Sequence, residues 1–425
     1  MPHESPGSSA RPAFSSLPVL TLPPPGCSRE AEAAFAAELR EVCHTVGFFY
    51  VAGIDDIVSP ATRENALAAS ARFFAMPQAK KDAIDNRNSP AFRGYVRLGA
   101  ENTAGLPDLR EQVEFGVEMT DDDALATETE SSPPPVYHAC LRGPNQWPDE
   151  RDCPRFRADA SRFADEARAL STRLTRLLAL SLDLPEDAFA PVFGDAPNVQ
   201  MKIARYPSVS ETRGGPRGER DERDDARAET AAAEDARAFG VGAHTDSGFL
   251  SLLLQDRTGG LQVMNGAGEW IDAPPVENTL VVNLGEMLQL ATRGYYLATP
   301  HRVLPPNAAS GAPAAENGTR ARLSVPYFWN PRLEYVCEPM DLPPSVRWTR
   351  DRAPTAAFAA RSANGDENEN ETEKKNVLLE AYGANALKSL ARSHPEVMAR
   401  HHPKLIIGDD GTVARRTSGR VGTDA

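Results

Sequence analysis

The sequence is short of cysteine and contains no long apolar run. Its five cysteines are odd in number, and none of them stands in a C-x-x-C pair. This pattern argues against a disulfide framework or a cysteine zinc site, and it indicates a reducing compartment. No apolar run approaches the roughly 20 residues of a membrane span, and no basic and then apolar start marks a secretory signal. We therefore expect a soluble, cytoplasmic protein that binds no membrane.

Basic residues are also outnumbered, because 46 Lys and Arg stand against 60 Asp and Glu and give a formal net charge of -14. Affinity for nucleic acid depends on clustered Lys and Arg that neutralise phosphates. We therefore expect no nucleic-acid partner. The expected partner is a small-molecule substrate, and the expected oligomeric state is a monomer.

The length of 425 residues fits one large domain with a helical N-terminal part. Three polar or charged segments, 208–238, 307–321 and 359–375, cannot bury enough apolar surface to offset their ordering entropy, so we interpret them as solvated insertions. The predicted divisions are a disordered tail at 1–16, an N-terminal domain at 17–140, a long backing helix and connection at 141–198, a β-rich core at 199–335 and a C-terminal segment at 336–425.

The first half of the chain alternates strands with amphipathic helices. A long helix is predicted from Pro154 to about Leu182, and a helix of this kind usually backs a sheet. Apolar periodicity, caps and proline stops predict four earlier elements: a strand at Leu17–Leu22, a helix at Arg29–Thr45, a strand at Gly47–Val51 and a helix that Ser59 caps and Pro77 ends.

From Val199 onward the sequence changes to the pattern of short strands separated by Gly, Pro and Asn turns. This spacing is typical of a sandwich or jelly roll, so the predicted fold class is mixed α and β. The predicted strands are Met201–Pro207, Phe249–Leu254, Leu261–Asn265, Glu269–Ala273, Thr279–Gly285, Thr299–Leu304 and Arg322–Phe328.

A candidate metal site lies just before the strand Phe249–Leu254. His244 and Asp246 are two residues apart, so on an extended backbone both side chains leave the same face. Of the eight histidines, His301 is the one placed on another predicted strand of the β-rich core. Two neutral imidazoles and one carboxylate on one face of a metal leave adjacent positions open, as in non-haem iron(II) oxygenases.

Arg322 and Ser324 point to the same side of their predicted strand. A guanidinium fork and a hydroxyl could together hold a carboxylate inside a barrel. The alternative is an arginine that pairs with a surface glutamate. Tyr206, at the end of an earlier strand, could donate to the same acid or simply fill the core.

The segment from Phe92 to Gly116 crowds charged residues among apolar ones. It could line a pocket, or it could form a surface strand and loop with ordinary ion pairs. The pattern alone leaves both interpretations open.

Five stretches together resemble the iron(II)- and 2-oxoglutarate-dependent dioxygenases of the isopenicillin N synthase-like superfamily. The N-terminal G-F-F-Y-V, R-G-Y and D-L-R-E-Q-V-E-F-G resemble the domain that precedes the catalytic barrel in that family. The resemblance implies a double-stranded β-helix, or jelly-roll, catalytic barrel over 199–335 and a dioxygenase N-terminal domain over 17–140. The five stretches are the run from His244, G-G-L-Q-V, V-V-N-L-G-E-M-L, H-R-V and R-L-S-V-P-Y-F-W-N-P.

The resemblance also implies roles for individual residues. His244, Asp246 and His301 would ligate iron(II), while Arg322 and Ser324 would bind the distal carboxylate of 2-oxoglutarate. Dioxygen would be the second cosubstrate and ascorbate a reductant. The candidate residues beside these are Tyr206, bordering 2-oxoglutarate, and Arg93, Tyr95 and Phe328 in the substrate pocket.

The expected reaction couples decarboxylation of 2-oxoglutarate, which gives succinate and carbon dioxide, to hydroxylation or a related oxidation of a small organic molecule. One alternative is an oxidase of the same fold that uses no 2-oxoglutarate, as isopenicillin N synthase does. The other is a non-catalytic protein that keeps the barrel as a ligand-binding scaffold.

Overall fold

Two larger β-sheets, two two-stranded sheets and the helices packed on them form a mixed α/β fold. The computed structural model describes residues 13–103, 106–120, 135–208, 211, 239–306, 321–346, 379, 381–408 and 412–415. The helices are α1 (Arg29–Thr45), α2 (Pro60–Phe74), α3 (Gln78–Asp82), α4 (Val136–Leu141), α5 (Phe156–Ser181), α6 (Ala190–Phe193), α7 (Glu286–Ala291), α8 (Tyr382–Ser393) and α9 (Pro395–His401). The strands are β1 (Val19–Thr21), β2 (Phe48–Ala52), β3 (Gly94–Val96), β4 (Asn102–Thr103), β5 (Leu106–Pro107), β6 (Glu111–Gly116), β7 (Asn198–Tyr206), β8 (Val241–His244), β9 (Leu250–Gln255), β10 (Leu261–Met264), β11 (Trp270–Asp272), β12 (Leu280–Leu284), β13 (His301–Val303), β14 (Arg322–Asn330), β15 (Leu405–Ile407) and β16 (Val413–Arg415).

Helix α1 begins and ends where the sequence predicts. Ser28 caps it by accepting a hydrogen bond of 3.3 Å from a first-turn amide, and Glu30 and Glu32 lie in that turn. An oxygen acceptor and negative charge both stabilise a helix N-terminus. The apolar stripe of α1, which includes Phe35 and Leu39, is buried in the main core.

Helix α5 covers the large sheet, as the sequence predicts. Its apolar face is buried in the same core as the sheet, with Phe163 and Leu170 fully inaccessible. Thr175 of α5 accepts a hydrogen bond of 3.1 Å from the indole of Trp329 on β14. The helix is therefore tied to the sheet by apolar packing and by a buried polar contact.

The large sheet has the strand order β1-β2-β12-β9-β14-β7-β6-β3. The β1–β2 pair is parallel and the other neighbours are antiparallel. Strands from the N-terminal part thus flank the later strands on both edges. The N-terminal part and the β-rich region share one continuous sheet.

The smaller sheet has the order β11-β10-β13-β8. Its antiparallel register places His301 of β13 directly opposite His244 of β8. Cross-strand neighbours of this kind have Cβ atoms about 5 Å apart. The register therefore brings together two histidines that are far apart in sequence.

The seven predicted strands of the β-rich region all occur, with ends displaced by at most three residues. Strands β3 and β6 of segment 92–116 are buried, with Tyr95, Val113 and Phe115 inaccessible, so the surface-strand interpretation is wrong for these strands, although residues such as Leu98 between them are exposed. Within the described residues, no helix has the length and apolar character to cross a bilayer. Most of the predicted tail and of the predicted insertions, namely 1–12, 212–238, 307–320 and 359–375, lie outside the described residues.

Candidate metal centre and adjoining cavity

Three candidate metal ligands converge between the two sheets. Asp246 Oδ1 lies 3.9 Å from Nε2 of His244 and 3.9 Å from Nε2 of His301. One ligand atom from each of the three residues lies within 4.8 Å of the other two. The structure therefore brings together the three residues that the sequence selects.

Both imidazole rings are fixed through their other nitrogen. Nδ1 of His244 lies 2.8 Å from the carbonyl oxygen of Gly242, and Nδ1 of His301 lies 3.2 Å from that of Thr299. Because a carbonyl oxygen only accepts, each Nδ1 carries the proton and donates it. In the neutral ring this leaves the Nε2 lone pair free for a metal.

The carboxylate of Asp246 is held through one oxygen only. Ser251 donates a hydrogen bond of 2.6 Å to Oδ2, and Asn283 donates one of 2.8 Å to the same atom. Oδ1 is left facing the two Nε2 atoms. Sequence reasoning missed these two donors, although each lies on a strand whose other residues are mostly apolar, which is a signal for a buried polar role.

The electrostatics favour the protonation states that bind a metal. Burial, followed by the charge of His301, lowers the pKa of His244 to about 4. Burial opposes ionisation of Asp246, but the two imidazoles and the hydrogen bonds from Ser251 and Asn283 outweigh it and lower its pKa. At neutral pH the site therefore offers the neutral imidazole of His244 and a carboxylate. Such a set of nitrogen and oxygen donors fits iron(II).

Arg322 lies on β14, which pairs with β9 in the large sheet, and it is almost inaccessible to solvent. Its Nη2 donates to Gln255 at 3.2 Å, and its guanidinium lies over the Tyr206 ring at 4.9 Å. Its Nε and Nη1 have no hydrogen-bond partner within the described part of the chain. Ser324, two residues on, is also buried. Unpaired guanidinium donors beside a hydroxyl residue fit a bound carboxylate.

A cavity of about 380 Å³ adjoins the candidate metal ligands. Of the residues predicted for a substrate pocket, Arg93 and Phe328 line this cavity, together with His244 and Asp246. Tyr95 does not line it. The phenol of Tyr95 instead donates a 2.6 Å hydrogen bond to Glu111, and its ring packs in the main core.

Sequence reasoning missed three polar residues of the cavity: Gln200 and Lys202 line it from β7, and α8 contributes Tyr382. Arg110 and Glu101 also line it and belong to segment 92–116, for which lining a pocket was one of the two interpretations. Gln200 and Lys202 alternate with apolar residues in the sequence of β7, and this period-two pattern could have identified them.

Comparisons with known proteins agree with this arrangement. The family model described as the non-haem dioxygenase in morphine synthesis N-terminal domain matches residues 17–150. The model described as the 2OG-Fe(II) oxygenase superfamily matches residues 203–331, which include the three candidate ligands, Arg322 and Ser324.

Curated relatives match over most of their length. The chain is 34% identical to a 2-oxoglutarate-dependent dioxygenase, frbJ, of Dothideomycetidae sp., over 93% of this chain and 95% of that protein. It is 30% identical to the homoarginine-6-hydroxylase 2-ODD-C23 of Glycine max, over 77% of this chain and 89% of that protein.

A solved structure is similar as well. The crystal structure of a full-length Neurospora crassa protein in complex with alpha-KG and thymine has a TM-score of 0.59 and 25% sequence identity, covering 83% of this chain and 98% of that one. The chain belongs to the 2-oxoglutarate- and iron(II)-dependent oxygenase superfamily, a group of oxidoreductases that use iron(II) as cofactor and 2-oxoglutarate as cosubstrate.

Proposed function

We propose that this chain hydroxylates, or otherwise oxidises, a small organic molecule in the cavity beside the metal centre. His244, Asp246 and His301 hold iron(II) in this proposal. Arg322 and Ser324 hold the distal carboxylate of 2-oxoglutarate. The observation that carries it is the convergence of two Nε2 atoms and one carboxylate oxygen within 4.8 Å.

Iron(II), 2-oxoglutarate and dioxygen together supply an oxidant that removes hydrogen from a C–H bond, while the cosubstrate becomes succinate and carbon dioxide. The protein orients the reactants and provides a fixed electrostatic environment. Thr299 and Gly242 fix the two imidazole rings, and Ser251 and Asn283 direct Oδ1 of Asp246 toward them. The ligand set is therefore preorganised before the reactants bind.

Tyr206 borders the cosubstrate in this proposal. Its ring lies under the guanidinium of Arg322, and Arg110 lies near its hydroxyl. Tyr206 and Arg110 thus connect the cosubstrate side of the site with the cavity.

The two facing sheets support a double-stranded β-helix, or jelly roll, as the catalytic core over 199–335. The candidate ligands lie on or next to β8 and β13 of the smaller sheet, while Arg322 lies on β14 of the larger one. A site between two facing sheets suits this architecture. In this proposal residues 17–140 form the N-terminal dioxygenase domain and 336–425 the C-terminal segment.

An anaerobic visible spectrum tests this function directly. Purified protein loaded with iron(II) is titrated with 2-oxoglutarate, and a new metal-to-ligand charge-transfer band is expected with one equivalent bound per chain. Succinate formed after air is admitted should match the 2-oxoglutarate consumed. Iron binding without the band would favour the oxidase that needs no 2-oxoglutarate. Failure to bind iron would favour a non-catalytic binding protein.

Asn283→Ala is expected to weaken iron(II) binding by about 10- to 100-fold, because positioning partners of metal ligands contribute that much. The substitution removes one of the two donors that hold Oδ2 of Asp246. Iron affinity is measured by anaerobic competition with a chelator. Asn265→Ala is a matched control, since Asn265 is equally buried but bonds to Phe14 and Glu269 in a turn. Equal affinities in the wild type and Asn283→Ala would contradict the positioning role.

A further inference from the structure

The cavity beside the metal centre is strongly polar on one side. Three cations with little exposure, Arg93, Arg110 and Lys202, line it with Glu101 beside them, whereas Arg392 also lines it but is exposed. A volume of about 380 Å³ suits a small organic molecule. The kind of molecule that the cavity can bind depends on which of these charges are already paired within the protein.

Two of the three cations are balanced within the protein. Lys202 Nζ lies 3.0 Å from both Glu101 Oε1 and Glu114 Oε1. Arg110 lies 2.6 Å from Glu101 and 3.1 Å from Asp108, and burial raises the pKa of Asp108 toward its neutral form. These ion pairs form a closed network.

Each carboxylate of this network is already paired with a cation of the protein, and the Nε2 atom of His394 lies a further 3.7 Å from Glu114. Gln112 donates to both Glu101 and Glu114, at 2.7 and 2.5 Å, and Gln200 donates to Glu114 at 3.0 Å. The two carboxylates are thus satisfied by Lys202, Arg110 and the two amides. A substrate ammonium group would find no unpaired carboxylate in this network.

Arg93 is the one of these three little-exposed cations that remains. It is 6% exposed, yet it forms no ion pair among the residues that the structure describes. Its Nη2 donates to the carbonyl oxygen of Leu141 at 3.2 Å, and its Nε has no hydrogen-bond partner in the same part of the chain. Burial lowers the pKa of Arg93 to about 10, and the more distant Glu114 offsets this only in part. A buried charge without a partner is unfavourable unless a ligand supplies one.

Gly116 provides the space in which the Arg93 guanidinium lies. A Cβ atom at position 116 would come within 2.0 Å of Nη2 of Arg93. Asn145 holds the same glycine by accepting from its amide at 2.8 Å and donating to its carbonyl oxygen at 3.0 Å. The guanidinium is therefore held flat against β6 at a defined position in the cavity wall.

We infer that the substrate carries a carboxylate and that Arg93 binds it. A planar guanidinium matches a planar carboxylate through parallel N–H···O bonds. Arg93 resembles Arg322, because both are buried arginines with guanidinium donors that lack a hydrogen-bond partner in the described chain. This inference rests on the proposed function, because it assumes that the cavity receives the molecule that is oxidised.

A carboxylate fits better than a phosphate. Glu101 and Glu114 are both buried; Glu101 lines the cavity with Arg93, and the charge of Glu114 acts on Arg93, so their negative charge would oppose a dianion more than a monoanion. One unpaired guanidinium balances one negative charge. The inference therefore specifies a monoanionic carboxylate.

Isothermal titration calorimetry under nitrogen tests the carboxylate inference. The protein is first loaded with iron(II) and 2-oxoglutarate, so that the metal site and Arg322 are no longer available to the probes. The probes are phenyl, cyclohexyl and 1-naphthyl frames, each carrying an acetate, an acetamide or a methylphosphonate group. At least one acetate should bind about tenfold or more tightly than its acetamide and its phosphonate, since a charge-assisted pair is lost in the amide. Binding of no acetate, or equal binding of acids and amides, would overturn the inference, and stronger binding of the phosphonates would overturn the choice of carboxylate.

Three variants locate the effect. Arg93→Met should remove the preference for acid over amide, and Gly116→Ala should do the same by displacing the guanidinium without removing its charge. Arg392→Met is the matched control, because Arg392 lines the same cavity but is exposed, so that solvent screens its charge. Persistence of the preference in Arg93→Met would refute the role of Arg93. The charge-transfer band of the wild-type sample is recorded first, so its absence would mark a failure of the proposed function, and not of this inference alone.

Discussion

His301→Ala is expected to abolish iron(II) binding at the candidate centre and to reduce 2-oxoglutarate turnover to background. His301 is one of three converging ligands, and its ring is fixed by Thr299 and by an edge contact with Phe48. Loss of a positioning partner already costs about 10- to 100-fold in metal affinity, so loss of a ligand should cost at least about 100-fold. Iron content after anaerobic desalting, and succinate formation, measure the effect.

His44→Ala is a suitable control for that experiment. The His44 ring is half-buried where His301 is buried, and like His301 it has a ring contact and lies within 3.5 Å of a carbonyl oxygen, here 2.7 Å from that of Tyr295, but it does not line the cavity. It should keep the iron content and the charge-transfer band of the wild type. A full band in His301→Ala would mean that another residue completes the ligand set.

The elements with strong local signals were predictable from the sequence. Helix α1 has a cap, acidic residues in its first turn and a clear apolar stripe, and its two ends agree with the prediction. Helix α5 is shorter than its prediction by two residues at the start and one at the end, since Pro154 and Leu182 lie just outside it. In both helices the information lies within one segment, so pattern and structure agree.

The buried charge network could not be predicted in the same way. In sequence, Glu101, Glu114 and Lys202 stand among residues that also suit a surface strand with ion pairs. Glu101 lies just before β4 and reaches Lys202 from there, whereas Glu114 and Lys202 meet because β6 pairs with β7 and places them opposite each other. That pairing is a property of the whole sheet, and no pattern within either segment specifies it.

The candidate site also has a part that the sequence predicts and a part that it does not. The spacing of His244 and Asp246 and the single histidine on a later strand were sufficient to select three residues that converge. The residues that hold them, Ser251 and Asn283, come from two further strands and act only after those strands pair. The cavity wall formed by α8 lies about 140 residues beyond the metal-ligand pair in sequence, and local pattern gives no indication of that contact.

Arg322→Met is expected to weaken 2-oxoglutarate binding by about 100-fold while leaving iron(II) binding intact. Two charge-assisted hydrogen bonds contribute about 3 kcal/mol together, and every 1.4 kcal/mol corresponds to about tenfold in affinity. Nε and Nη1 of Arg322 are the donors without a partner in the described chain. The 2-oxoglutarate concentration at which the charge-transfer band reaches half its amplitude measures the effect. Arg322→Lys keeps the charge but loses the fork, so its affinity should be intermediate.

Stability distinguishes a ligand-binding arginine from a structural one. Gln255 is the side chain to which Arg322 donates, so removal of its buried charge should leave the free energy of unfolding of the 2-oxoglutarate-free protein unchanged or raised. Arg63 is a matched contrast, because it is also buried but bonds to Val58, Asp55 and Asn278. Arg63→Met should therefore destabilise the protein by about 1 to 2 kcal/mol, because it loses hydrogen bonds while its charged partner Asp55 is left largely exposed, and it should leave the affinity for 2-oxoglutarate unaltered. If Arg322→Met behaved like Arg63→Met in urea unfolding and kept its cosubstrate affinity, Arg322 would be a structural residue. A loss of affinity for 2-oxoglutarate without a loss of stability would assign the unpaired donors of Arg322 to the cosubstrate. A substitution of a purely structural residue would lower this affinity only by destabilising the fold.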